Sequence, residues 1–174
     1  MALLKRAPPW RKLLAVVLAA VGTVAHADIA MEDDLKSAFA YNFIVLATWP
    51  GEATGAVRFC VAGVPVATTA FKVLEGKSAR ERAIVVSGAP TFDRTGECTV
   101  LYIPPGENER LDRWLAAVAS RAVLTISDQA GTGGAILNLR SAGGRVVFDV
   151  DTRAALVARI ALSSQLVKLA ASRR

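Results

Sequence analysis

Apolar positions follow a helical period up to Trp49 and change to short runs beyond it. From Met31 to Thr48, Leu35, Ala38, Phe39, Asn42, Phe43 and Leu46 share one face, which predicts a helix whose apolar stripe Asn42 interrupts. Glu32, Asp33 and Asp34 fall in its first turn, where the helix dipole favours acids, and Trp49-Pro50-Gly51 stops it. A buried Asn42 needs hydrogen-bond partners. Strands are then predicted at Val57–Val61, Ile84–Val86, Thr99–Ile103 and Val123–Ser127. Helices are predicted between them, at Ala67–Leu74 and at Glu107–Ala119, the second with Leu111, Leu115 and Val118 on one face. Ala135–Leu139 and Arg145–Val150 flank Ser141-Ala142-Gly143-Gly144, which reads as a hairpin turn. Thr152 to Ala171 reads as one closing helix.

Several of these strands are continuous apolar runs, the pattern of strands covered on both faces. Their alternation with helices predicts a single α/β domain. It would have a mostly parallel central sheet flanked by helices on both faces and an antiparallel hairpin near the C-terminal end.

The first 27 residues read as an address and not as part of this fold. Lys5, Arg6, Arg11 and Lys12 form a positive region, Leu13–Val21 is apolar, and Ala25-His26-Ala27 is a small-x-small cleavage signature. Residues 1–27 are therefore predicted to be a cleaved signal peptide and 28–174 the mature domain. This division changes the meaning of the charge. The chain has 21 basic and 15 acidic residues, a net +6. Four of the basic residues and none of the acids lie in the signal, which leaves 17 against 15, a net +2, on the mature chain. The nucleic-acid and anionic-membrane readings that a basic protein invites lose their support.

Export also removes His26, the one histidine, and with it the usual general base and the commonest metal ligand. The two cysteines, Cys60 and Cys98, read as a disulfide in an exported chain, against the alternative of two buried thiols. Their spacing is unlike a C-x-x-C redox motif.

Other motifs reduce to ordinary structure. Gly76-Lys77-Ser78 resembles the end of a P-loop, but Phe71 stands where the motif requires glycine. Gly131–Gly134 precedes a strand and lacks the helix dipole of an anion site. Asp149 and Asp151 share a strand face, yet Asp151 stands where it caps the next helix, and Asp128 is a loop acid. Ser164 and Lys168 miss the S-x-x-K spacing by one residue. No catalytic residue, metal site or cofactor is predicted.

Taken in order, the motifs resemble those of the YfiR family over nearly the whole mature chain. Ala40-Tyr41-Asn42-Phe43 with Trp49-Pro50, Arg58-Phe59-Cys60-Val61-Ala62-Gly63 and Leu74-Glu75-Gly76-Lys77 are similar to its N-terminal half. Glu97-Cys98-Thr99-Val100-Leu101-Tyr102-Ile103, Leu124-Thr125-Ile126-Ser127-Asp128 and Gly133-Gly134-Ala135-Ile136 resemble its later strands. Val146-Val147-Phe148-Asp149-Val150-Asp151 and Ile160-Ala161-Leu162-Ser163-Ser164-Gln165-Leu166 resemble its closing segment. The chain departs from the family in having Asp151 where asparagine is usual. It also lacks an aromatic between Asp128 and the glycine pair, and a second disulfide.

The resemblance implies a non-enzymatic periplasmic repressor. Its partner would be the periplasmic sensor domain of an inner-membrane diguanylate cyclase, or a sensor kinase, and repression would lower cyclic di-GMP and biofilm formation. An outer-membrane lipoprotein or a redox disturbance would release it, no nucleic acid would be bound, and a homodimer is admitted. A Cys60–Cys98 bridge would then maintain the repressing shape. Tyr41, Asn42, Trp49 and Trp114 are the candidate partner-binding residues, although aromatics at such positions more often pack in the core. Two other function classes stay open. One is a periplasmic small-ligand sensor or solute-binding module with its pocket at the strand ends. The other is an enzyme, which would need Asp128, Asp149 and Asp151 gathered in one cleft.

Overall fold

The computed structural model describes residues 31–51, 54–63, 65–89, 91–129 and 133–174; the predicted signal peptide lies outside them. Helix α1 covers residues 31–46 and runs directly into a two-residue strand, β1 (Ala47–Thr48). Strands β2 (Val57–Ala62), β3 (Ser78–Ala79), β4 (Arg82–Ala89), β5 (Val100–Ile103) and β6 (Leu124–Asp128) follow, with helix α2 (Leu111–Val118) between the last two. The hairpin strands β7 (Leu137–Ala142) and β8 (Arg145–Val150) come next. The chain closes with α3 (Thr152–Val157), β9 (Ala161–Leu162), α4 (Ser164–Leu169) and β10 (Ser172–Arg173).

Eight strands form one sheet in the order β10-β8-β7-β6-β5-β2-β4-β3. β4, β2, β5, β6 and β7 are mutually parallel, while β8 runs antiparallel to β7 and β3 antiparallel to β4. The expected α/β architecture is present. The chain places β4 on one side of β2 and then crosses to set β5 on the other. That reversal opens a crevice at the carboxyl ends of β2 and β5, where open α/β sheets bind their ligands.

Alternation along the strands divides the core in two. Val57, Phe59, Val61, Val100, Tyr102, Leu124 and Ile126 pack with α1 and with Phe71 and Leu74. Cys60, Ala62, Leu101 and Ile103 pack instead with Leu111, Trp114 and Val118 of α2. Helices thus cover both faces, which is why β5 and β6 are buried at every position.

Several local expectations are corrected. The buried stripe of α1 is Ser37, Ala40, Phe43 and Ile44, rotated from the predicted one, so that Leu35 and Asn42 are exposed. Phe43 meets Phe148 edge-on at 5.0 Å. The segment predicted as helix Ala67–Leu74 is a 3-10 helix, Pro65–Leu74, and α2 is preceded by a 3-10 stretch, Pro105–Arg110, so that the predicted Glu107 start belongs to the tighter helix.

The largest correction is at the C-terminus, where one long helix was expected. Arg159 adopts φ 56° and ends α3, and the Ser163 hydroxyl caps a new helix by accepting from the Leu166 amide. Between them, β9 pairs antiparallel with β1, joining Ala47 to Leu162 and Thr48 to Ala161. The apolar period alone does not reveal this, because the backbone bonds lost by breaking the helix are regained from a strand far away in the sequence. The partners Thr48 and Ala161 are 113 positions apart.

Two tight hairpins close the sheet edges. Gly143 and Gly144, at φ 57° and 72°, form the predicted β7–β8 turn. Arg80 and Glu81 join β3 to β4 with φ 52° and 66°, a turn geometry that usually selects glycine or asparagine. The P-loop look-alike lies at the start of that second hairpin. There the Gly76 amide donates to the Ile84 carbonyl, and Lys77 leads into β3.

Candidate functional site

Two buried polar clusters stand near the carboxyl ends of the parallel strands, one on each face of the sheet. On the α1 face, β6 ends in Asp128 and β5 presents Tyr102. The Tyr102 hydroxyl donates to Asp128 Oδ2 at 2.7 Å, and Lys36 Nζ of α1 approaches the same oxygen at 2.7 Å. Lys36 also pairs with Glu32 one turn earlier, at 2.8 Å. The Lys36 and Asp128 side chains are only 12% and 9% exposed, so the ion pair is largely removed from water.

The charge states follow from these contacts. Burial alone would lower the Lys36 ammonium, but hydrogen bonds to Asp128 and Glu32 outweigh it and raise the pKa above the usual lysine range. Glu32 is lowered, chiefly by its hydrogen bond from Lys36. Burial and the neighbouring Asp128 carboxylate push the Tyr102 phenol up, so it stays protonated and donates. A cavity of about 480 Å³ opens beside this network, walled by Phe71, Tyr102, Pro104 and Asp33 as well as by Lys36 and Asp128.

On the opposite face, Glu107 turns inward and accepts from Trp114 Nε1 at 2.8 Å, while Arg110 reaches the same oxygen at 3.1 Å. Its carboxylate occupies the space over Gly63, where a Cβ would lie 2.3 Å from Oε1. The crevice between β2 and β5 is therefore filled on this face by the protein's own side chain. Arg110 and Arg113 stack over Phe92, which lies 4.3 Å from the Trp114 ring. Cys60 and Cys98 are bonded, with Cα atoms 5.7 Å apart, and both are buried in the same cluster as Trp114. The bridge ties β2 to the segment leading into β5, two residues ahead of Val100.

The predicted partner residues occupy different environments. Trp114 is fully buried and presents no surface, because α2 turns it onto the sheet and Glu107 satisfies its indole nitrogen. Trp49 is 9% exposed, with its indole nitrogen buried and unbonded. Tyr41 is half-buried: its hydroxyl donates to the Ser78 carbonyl, and Lys77 lies over its ring at 5.7 Å. Asn42 is exposed. The three aspartates that an enzyme reading would gather are apart. Asp128 is held by Lys36 and Tyr102, Asp149 pairs with Arg140 at 2.8 Å, and Asp151 caps α3 by accepting from the Ala154 amide.

Sequence reasoning missed Lys36, Tyr102 and Glu107. The Glu32–Lys36 spacing was a readable signal of a helical ion pair. The meeting of Lys36 with Asp128, 92 positions further along the chain, was not, because it depends on how α1 lies across the sheet.

A family model described as YfiR/HmsC-like matches residues 33–171. The chain belongs to the YfiR/HmsC-like family. The match takes in α1 from Asp33 onward, both cysteines and strands β2 to β8 with the hairpin, and so covers Lys36, Tyr102, Asp128 and Glu107 of this YfiR/HmsC-like domain. No curated protein matches the chain. Among the described residues, no helix is long and apolar enough to cross a membrane.

Proposed function

We propose that this YfiR/HmsC-like chain is a non-enzymatic regulator of the periplasm, exported by residues 1–27. It binds the periplasmic sensor domain of an inner-membrane diguanylate cyclase and holds the cyclase in its inactive state. The observation that carries this reading is the family match over residues 33–171. A binding protein acts on its partner through preferential affinity for one conformation. A rigid, stapled sheet suits that task, since little ordering entropy is spent on association. The Cys60–Cys98 bridge maintains the repressing shape, and an outer-membrane lipoprotein competes for the repressor. Asn42 and the exposed edge of Tyr41 contribute to the partner surface.

The test is made in the source bacterium. Deleting the gene raises cyclic di-GMP and biofilm mass, and restoring it with a functional export signal reverses both. The purified chain captures the cyclase's periplasmic domain. Unchanged cyclic di-GMP on deletion, together with absent binding, overturns the reading.

A further inference from the structure

We propose that the cavity beside Lys36 and Asp128 is a binding site for a small organic cation, an ammonium compound with an apolar body. This goes beyond the repressor reading and does not depend on it. The cavity holds about 480 Å³, room for a compact organic molecule. It lies where the carboxyl ends of β5 and β6 meet α1, the edge at which parallel α/β sheets take their ligands.

Three observations fix the chemistry. First, the inner wall is apolar: Phe71 and Tyr102, packed on each other with ring centres 4.3 Å apart, back the cavity and suit the apolar part of a ligand. Second, the formal charge does not balance. Asp33 and Asp128 line the cavity beside one ammonium, Lys36, which is itself shared with Glu32 outside the cavity, so the walls carry one negative charge in excess. Asp33 lines the cavity and makes no ion pair among the described residues. Third, the Lys36–Asp128 pair is buried although buried ion pairs seldom stabilise a fold more than apolar packing does. Apolar side chains would serve the core here. A held carboxylate at the cavity wall, with Tyr102 orienting it, serves a ligand. The excess negative charge disfavours carboxylate-bearing ligands.

Isothermal titration calorimetry of the disulfide-intact protein with phenethylammonium and benzyltrimethylammonium tests this, with phenylacetate as the anion of similar shape. The ammonium probes are expected to bind with a dissociation constant of about 1 mM or tighter, a range open to roughly ten heavy atoms. Phenylacetate should bind at least about tenfold more weakly, since the excess charge opposes it. Asp33→Asn removes a carboxylate from the cavity wall and should weaken the ammonium probes about two- to fivefold, while the melting temperature falls by no more than about 4 °C, the loss of one first-turn acid from the helix dipole. Thr69→Trp fills the cavity from its exposed edge and should abolish binding. Amide chemical shifts should move around residues 69–71, 102 and 128. Equal affinity for phenylacetate, undiminished affinity in either variant, or no heat at about 10 mM probe overturns the proposal.

Discussion

Replacing Cys60 and Cys98 together with alanine tests how much of this fold depends on its single staple. The bridge spans 38 positions and joins β2 to the segment leading into its parallel neighbour β5, a contact otherwise non-local. In the chain-entropy account, opening a loop of that length frees the unfolded state by about 4 kcal/mol. Both cysteines are buried in one cluster with Leu101 and Trp114, so loss of the sulfurs adds a small packing penalty. A domain of this size is stable by roughly 7–20 kcal/mol, so the variant stays folded. Its Tm should fall by about 8–16 °C, at roughly 2–4 °C per kcal/mol. Trp114, set against Phe92 in the same cluster, reports unfolding by fluorescence in urea. The oxidised protein, the reduced protein and the double alanine variant are compared. The urea slope should be steeper without the bridge, because the unfolded chain then exposes more surface. A midpoint loss below about 1 kcal/mol with an unchanged slope would refute the reasoning. Cyclic di-GMP measured at a temperature where the variant is fully folded separates a switch from a staple: lost repression means a switch, and retained repression a staple.

Glu107→Ala should cost about 2–3 kcal/mol in urea unfolding, because the buried Trp114 indole N–H loses its charged acceptor; an effect below about half of that would mean that water replaces the carboxylate. Gly63→Ala should cost at least about 2 kcal/mol, since φ is +80° and the new Cβ would displace the Glu107 carboxylate from Trp114. Near-wild-type stability would show that Glu107 moves aside freely. Asp149 is held below its ordinary value of 3.8, first by its hydrogen bond from Arg140. Its native pKa is thus below its unfolded one, so this stability is present above about pH 4 and is lost as pH falls through the native value. Arg140→Gln should raise the Asp149 midpoint toward 3.8, read by carboxyl NMR titration, and an unmoved midpoint would discount the pair.

The repetition of apolar strands and helices made the sheet legible, because strands covered on both faces must be apolar throughout, as β5 and β6 are. The β7–β8 turn was legible for a local reason: Gly143 and Gly144 tolerate the positive φ that a two-residue hairpin imposes. Elsewhere the pattern misled. The run from Ala154 to Leu169 has the composition of one helix, yet it divides at Arg159 because β9 finds a partner in β1. For Trp114 the sequence left a partner surface and the core both open, and the tertiary structure puts it in the core with Glu107 as its acceptor.

The amino-acid sequence alone determined the class of fold and the position of the hairpin, and narrowed its two cysteines to a bridge or a pair of buried thiols. Each of these depends on composition, local backbone freedom or elimination among few residues. The tertiary structure alone decided the rotation of α1, the fate of the C-terminal segment and the meeting of Lys36 with Tyr102 and Asp128. Those outcomes depend on contacts between residues far apart in the chain, and a local pattern carries no record of which distant group will satisfy a buried charge.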